Sequence, residues 1–276
     1  MTVTTLITRR IAKPWGRRHL SPFFEDVPED DEKIGEIWFE SPDGRDPELL
    51  IKYLFTSERL SVQVHPDDDA ARAAGYSRGK DEAWLVLAAE PHGTVGLGTV
   101  RPLSPEELRD AAIDGTIEQL IDWKPVKAGD FIYSPAGTVH AIGAGVTIIE
   151  IQQNVDLTYR LYDYGRPREL HLEEGVAASN AHPFFVSDER HDLSRGRTLL
   201  SAGGKFVVER WRTGARLHLR PPRGRPVWIT VIDGRAGTAK SGETLLVEGD
   251  ADLEAVPGSD LLVAYPGSEV ATILEF

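Results

Sequence analysis

Residues Ser61–Ala70 read SVQVHPDDDA, a β-patterned segment that stops abruptly. Positions i and i+2 of a strand share a face. Gln63 and His65 therefore project together, while Val62 and Val64 face the other way. Pro66 has no N–H for a sheet ladder and ends the strand. In the continuation, HPDDDAARAA, an aspartate caps a helix. Two polar side chains on one strand face mark either a metal or substrate site or an exposed sheet surface.

Working outward, most of the chain has the same texture of short strands punctuated by Gly and Pro. KIGEIWFES, ELLIKYLFT, EAWLVLAA, TVGLGTV, DFIYSPAG and GVTIIEIQQN precede residue 180. KFVVERWRT, PVWITVIDG, ETLLVEGD and DLLVAYPG follow it. Many short strands with turn residues between them predict an all-β barrel or sandwich. Helices do not alternate with the strands, which disfavours a parallel α/β sheet. One insertion, residues 103–123, has helical spacing, with Ser104 as N-cap, Pro105 at the first helical position and Glu107 three residues after the cap. Its apolar positions break near Gly115. A polar, aperiodic stretch from about residue 176 to 200 predicts a boundary between modules 1–180 and 181–276.

Composition narrows the functions. The 276 residues suffice for one large or two ordinary domains. With 31 basic and 44 acidic side chains the formal charge is −13. That balance argues against nucleic-acid or anionic-membrane partners, which need a basic surface. An anionic small molecule would need a local cluster of Lys and Arg. The absence of cysteine excludes disulfides, thiolate metal sites and cysteine nucleophiles. Arg9 and Arg10 interrupt the N-terminus before any signal-peptide core forms, and no run approaches the ~20 apolar residues of a membrane helix. The expectation is a cytoplasmic protein, monomeric or weakly dimeric.

His65 and His140 each lie at the edge of an apolar run beside turn residues, and Glu82 opens the apolar strand EAWLVLAA. Two imidazoles and a carboxylate form a metal shell of the 2-His-1-carboxylate type, to which Gln63 could add a neutral oxygen. Without thiolates this set suits zinc, manganese or iron. In EIQQNVDLTYRLYDYGRPREL, Arg160, Arg166 and Arg168 cluster among tyrosines. They read as an anion pocket or as solvated surface arginines. Asp156, four residues before Arg160, is a salt-bridge partner or a proton-transfer group.

In this order, LSVQVHPDD, GKDEAWLVL, SPAGTVHAIGAG and EIQQNVDLTYRLYDYGR closely resemble the class I, zinc-dependent mannose-6-phosphate isomerases of the cupin superfamily. The resemblance covers roughly residues 14 to 180. It implies two cupin-type β-barrel or jelly-roll modules, the second without a metal site. It further implies one Zn(2+) per chain held by Gln63, His65, Glu82 and His140. Arg160 would be the catalytic arginine, Asp156 an acid of the proton relay and Lys80 a lysine lining the site. Ser61 and Arg166 fall where relatives contact the substrate phosphate. The implied reaction interconverts mannose 6-phosphate and fructose 6-phosphate through an enediol. Alternatives are a metal-dependent isomerase or epimerase of another sugar, an iron cupin oxygenase, and a non-catalytic sugar-phosphate binder. Gly79 and Val155 depart from the family pattern, and Gly79 removes a side chain considered for proton transfer.

Overall fold

The described residues up to Tyr162 form twelve strands, and the way their sheets stack decides where a site can form. They are β1 (Thr2–Thr5), β2 (Ile7–Arg17), β3 (Ile34–Glu40), β4 (Leu49–Phe55), β5 (Val62–Val64) and β6 (Glu82–Ala89). Then follow β7 (Thr94–Thr99), β8 (Ile121–Pro125), β9 (Phe131–Ser134), β10 (His140–Ile142), β11 (Val146–Gln153) and β12 (Tyr159–Tyr162). A computed structural model describes residues 2–25, 32–186, 189–214, 216–222 and 224–275. Its helices are α1 (Asp68–Ala73), α2 (Pro105–Asp114), α3 (Ile117–Leu120) and α4 (Leu172–Ala178).

Strands β2–β12 form two antiparallel sheets, β2-β3-β4-β11-β6-β9 and β12-β5-β10-β7-β8. Between them Leu54, Trp84, Val86 and Ile148 of the first sheet meet Val95, Leu97 and Ile142 of the second. The other face of the six-stranded sheet is covered too. Ile37, Ile51, Tyr53, Ile149 and Ile151 pack with Leu200, Phe206, Val208, Trp228 and Leu262 from the second half of the chain. Two-sided burial explains why every position of β4 and β11 is buried and why both read as nearly unbroken apolar runs. Each large side chain sequestered this way contributes roughly 1.5–3 kcal/mol.

Val62 and Val64 face outward from the barrel, as the alternation requires, and pack beneath Leu108, Ala111 and Ala112 of α2. That helix starts with the full capping box of Ser104 and Glu107 and stops at Gly115, whose φ of +84° favours glycine. The helical insertion is shorter than its sequence pattern: the chain turns to strand at Ile121, which pairs with Thr99. Among the described residues no helix is long and apolar enough to cross a membrane.

The second half builds a seven-stranded sheet. Its order is Thr2–Thr5, Thr244–Glu248, Val227–Asp233, Ser259–Pro266, Phe206–Thr213, Arg197–Ser201, His191–Ser194. A three-stranded sheet of Ala251–Glu254, Arg216–Leu219 and Leu274–Glu275 faces it. Val207, Trp211, Leu217, Leu219 and Ile229 fill the space between. Sequence order and sheet membership part company at β1, which pairs from Thr2 opposite Glu248 to Thr5 opposite Leu245. Four residues of TVTT carry no periodic signal that could have announced this.

Candidate metal centre and its cavity

Strand β5 lies between β10 and β12, with Gln63 opposite both His140 and Arg160. Directly opposed residues of antiparallel strands share a face, so these three side chains point into the barrel together. His65 follows two residues later on the same side. Glu82, the first residue of β6, reaches across from the other sheet. One ligand atom from each of His65, Glu82 and His140 falls within a 4.8 Å cluster, and all three residues are buried.

The chemistry of this cluster fits a cation. His65 Nδ1 donates to the Leu157 carbonyl at 2.9 Å, and His140 Nδ1 donates to that of Thr138 at 2.8 Å. A carbonyl only accepts, so both Nδ1 atoms carry the proton and both neutral rings turn an Nε2 lone pair inward. Burial, reinforced by Lys80, pushes His65 down to about 3, and burial lowers His140 as well. Glu82 Oε1 lies 3.1 Å from His65 Nε2, and Oε2 lies 3.6 Å from His140 Nε2. With the rings neutral these are facing acceptors rather than ion pairs. Burial alone would raise the Glu82 carboxyl, but Lys80, 2.9 Å from Oε1, holds it well below the usual carboxylate range. Glu82 Oε2 is buried without a hydrogen-bond partner. Acceptors crowded in a dry site, one of them orphaned, are what a Lewis-acidic metal satisfies.

Gln63 is oriented otherwise than a ligand oxygen. Its Oε1 accepts from Ser61 Oγ at 3.0 Å, and its Nε2 lies 3.3 Å from His140 Nε2.

A cavity of about 390 Å³ lies beside these residues and is lined by Ser61, Gln63, Lys80, Glu82, Asp156 and Arg160. Sequence reasoning missed several of its other walls. Arg9, Trp38, Lys52 and Glu150, which line it, stand in one register row across the six-stranded sheet, with Trp84 next in the row but off the cavity. The buried Lys52 ammonium sits 3.2 Å from Glu150 and 3.9 Å from Glu36, and lies 4.6 Å from the Trp38 ring centroid. Burial would depress that ammonium, but Glu150 and Glu36 outweigh it and raise it above its usual range. Glu150 is raised, chiefly by burial and then by Glu82. A signal existed: Lys52 and Glu150 are the single charges inside the apolar runs LLIKYLF and VTIIEIQQ. In all, six cations (Arg9, Lys13, Lys52, Lys80, Arg160, Arg168) and four carboxylates (Glu36, Glu82, Glu150, Asp156) line the cavity. In a chain of net −13, this is a local excess of positive charge.

The arginines separate. Arg160 Nη1 donates to the Glu169 carbonyl at 2.7 Å, while its Nε is buried without a partner. Burial, then Arg168, lowers its guanidinium, a sign of two cations crowding one wall. Arg168 lines the cavity, its Nε and Nη2 bound to the buried Asp163. Arg166 does not line it: Nε and Nη2 bind the same Asp163 at 3.0 and 2.7 Å, and Nη2 also donates to the Arg59 carbonyl. Gly79 also finds a physical reason. A Cβ there would stand 2.4 Å from the Asp67 carbonyl carbon and 2.6 Å from Asp68 N, so the chain approaches α1 too closely for any side chain.

A metal-ready pair of imidazoles and a carboxylate inside a small β-barrel, beside a cavity with excess positive charge, defines a cupin-type barrel. Comparison with known proteins narrows this class. The chain is 34% identical over 229 residues to mannose-6-phosphate isomerase ManA of Bacillus subtilis (strain 168), covering 76% of this chain and 71% of that protein. It is 37% identical over 184 residues to mannose-6-phosphate isomerase of Streptococcus mutans serotype c, covering 62% of this chain and 57% of that protein. The aligned region thus spans little more than half of the Streptococcus protein's length. The crystal structure of a mannose 6-phosphate isomerase from Bacillus subtilis superposes with a TM-score of 0.81 at 25% identity, covering 96% of this chain and 99% of that one. A zinc-bound mannose 6-phosphate isomerase structure shares the fold, with a TM-score of 0.74 at 14% identity over 96% of this chain and 100% of that one. No family model matches the chain. The chain belongs to the mannose-6-phosphate isomerase family.

Proposed function

We propose that this protein is a zinc-dependent aldose–ketose isomerase that interconverts mannose 6-phosphate and fructose 6-phosphate through an enediol. The observation that carries the reading is the inward convergence of His65, Glu82 and His140 beneath a cavity with excess positive charge, in a chain of this family. His65, Glu82 and His140 hold the metal, and Gln63 adds an oxygen if its amide turns about. When bound, zinc supplies Lewis-acid polarisation of the sugar's reacting oxygens.

The rest of the work falls to side chains. Isomerisation moves a proton between C1 and C2 and builds negative charge on the adjoining oxygens. Arg160, with its unpartnered Nε, is suited to stabilise that charge. Lys80, fixed against Glu82 and almost wholly buried, and Asp156, exposed at the mouth, are the groups proposed to shuttle the proton. For the phosphate we assign Ser61 and Arg168, whose fork on Asp163 leaves Nη1 for an oxyanion. Arg166 backs it through the same carboxylate. Phosphate binding then orients the distant carbonyl. Sugar phosphates are made and used inside cells, which supports a cytoplasmic site of action.

The test is to measure bound metal and follow mannose 6-phosphate conversion before chelation, after it, and with zinc restored. Turnover should vanish and return. A fully zinc-loaded protein without turnover overturns the reading, and iron with oxygen uptake would favour the oxygenase alternative.

A further inference from the structure

Among the described residues the C-terminal module places none on the cavity wall, yet one of its hairpins grips the segments that carry the metal ligands. Asp81, between Lys80 and Glu82, accepts from Tyr133 Oη at 2.7 Å and from Ala136 N at 3.0 Å. Ala136 belongs to the loop that leads to His140, and the next residue, Gly137, donates its N–H to the His65 carbonyl at 2.8 Å. On the far side of His65, Asp68 accepts from Gly79 N at 2.8 Å and from Gln153 Nε2 at 3.1 Å. Gln153 in turn accepts from Asp81 N at 3.0 Å. All three ligand-bearing segments are therefore tied into one circuit through Asp81 and Asp68.

Lys205 closes that circuit from the hairpin between Arg197–Ser201 and Phe206–Thr213. Its ammonium donates to Asp68 Oδ2 at 2.7 Å, and its backbone N–H donates to Tyr133 Oη at 2.8 Å. The preceding residue is Gly204, where a Cβ would lie 2.1 Å from Tyr133 Oη and push the tyrosine out of this bond. Tyr133 Oη thus receives from one module and donates to the carboxylate next to Glu82 in the other.

We infer that the Gly204–Lys205 hairpin is a clamp on the metal centre, with Tyr133, Asp81 and Asp68 as positioning residues that set the spacing of His65, Glu82 and His140. The inference rests on the metal-centre reading above. Groups that hydrogen-bond a metal's ligands fix ligand orientation, and losing one costs roughly 10–100-fold in metal affinity. Tyr133, Asp81 and Asp68 act one step further out, through the backbone next to the ligands, so the low end of that range is expected. Bonds that only glued the two modules would change melting temperature and leave zinc affinity alone.

The experiment titrates zinc into chelator-stripped full-length protein against a competing chromophoric chelator, and records the visible spectrum of the cobalt(II)-loaded form. Tyr133→Phe, which removes only Oη, should weaken zinc about tenfold and shift the cobalt bands. Lys205→Met keeps the backbone donor, and should weaken zinc by a smaller factor. The second variant also keeps the test alive should the first not fold. Zinc affinity within twofold of wild type in both, whatever happens to melting temperature, overturns the inference. Wild-type protein that binds zinc but turns over no sugar phosphate sinks the proposed function alone, and the affinity comparison still decides the clamp.

Discussion

Lys52→Met tests the buried charge row of the cavity wall. Lys52 faces Glu150 at 3.2 Å and Glu36 at 3.9 Å, with side-chain exposures of 8%, 5% and 11%. At an effective dielectric of ~20 these contacts are worth about 5 and about 4 kcal/mol of attraction. Burying the ammonium costs several kcal/mol, so the net loss on removing one partner is about 3–5 kcal/mol. Methionine keeps the stem's packing and leaves the carboxylates facing each other. Glu150 is already raised by burial and by Glu82, and without Lys52 it rises further. A carboxyl whose folded pKa is raised keeps its stability below the unfolded value and loses it as pH rises through the folded value. The deficit should therefore be full at pH 8 and shrink at pH 5 by about 1 kcal/mol or more, since one pKa unit is about 1.4 kcal/mol. Urea unfolding of chelated wild type and variant at both pH values measures it and keeps metal linkage out of the comparison. A deficit under about 1 kcal/mol at pH 8, or one equal at both pH values, would refute the claim that a buried ammonium balances these acids.

Two further perturbations separate roles around the cavity. Arg160→Ala should lower kcat by roughly 100–1000-fold with the fold retained, whereas Arg168→Met should raise KM for mannose 6-phosphate by roughly 10–100-fold with kcat little changed. Arg166→Met should have the smaller KM effect, and steady-state kinetics with phosphorylated and unphosphorylated mannose decides; equal use of both sugars by wild type would discard the phosphate assignment. Gly79→Ala should destabilise by about 1–3 kcal/mol in chemical denaturation, because the added methyl meets the Asp67–Asp68 backbone, and a change under about 0.5 kcal/mol would show that the backbone yields.

The strands were legible because their alternation and Gly-rich turns are local properties, and so were His65, Glu82 and His140, which interrupt apolar runs beside turns. Lys52 and Glu150 were harder, since two charges nearly a hundred residues apart become partners only once the register of β4 and β11 is known. The choice between Arg166 and Arg168 was not legible either. Tyr164 and Gly165 adopt φ of +55° and +78°, and beyond this turn Arg168 lines the cavity while Arg166 does not. Gln63 lay on the expected face, but the turn of its amide depends on Ser61 and His140 together.

Strand β1 has a consequence for how the polypeptide is made. It is synthesised long before its partner, Thr244–Glu248, against which each of its residues pairs. The apolar back of the six-stranded sheet must wait for Phe206, Trp228 and Leu262 to cover it. Until those residues emerge the nascent barrel carries a bare hydrophobic flank and an unmated strand, the kind of exposed surface that invites misassembly or chaperone holding. Closure of this sheet waits on these later hairpins rather than on the segments that carry His65, Glu82 and His140.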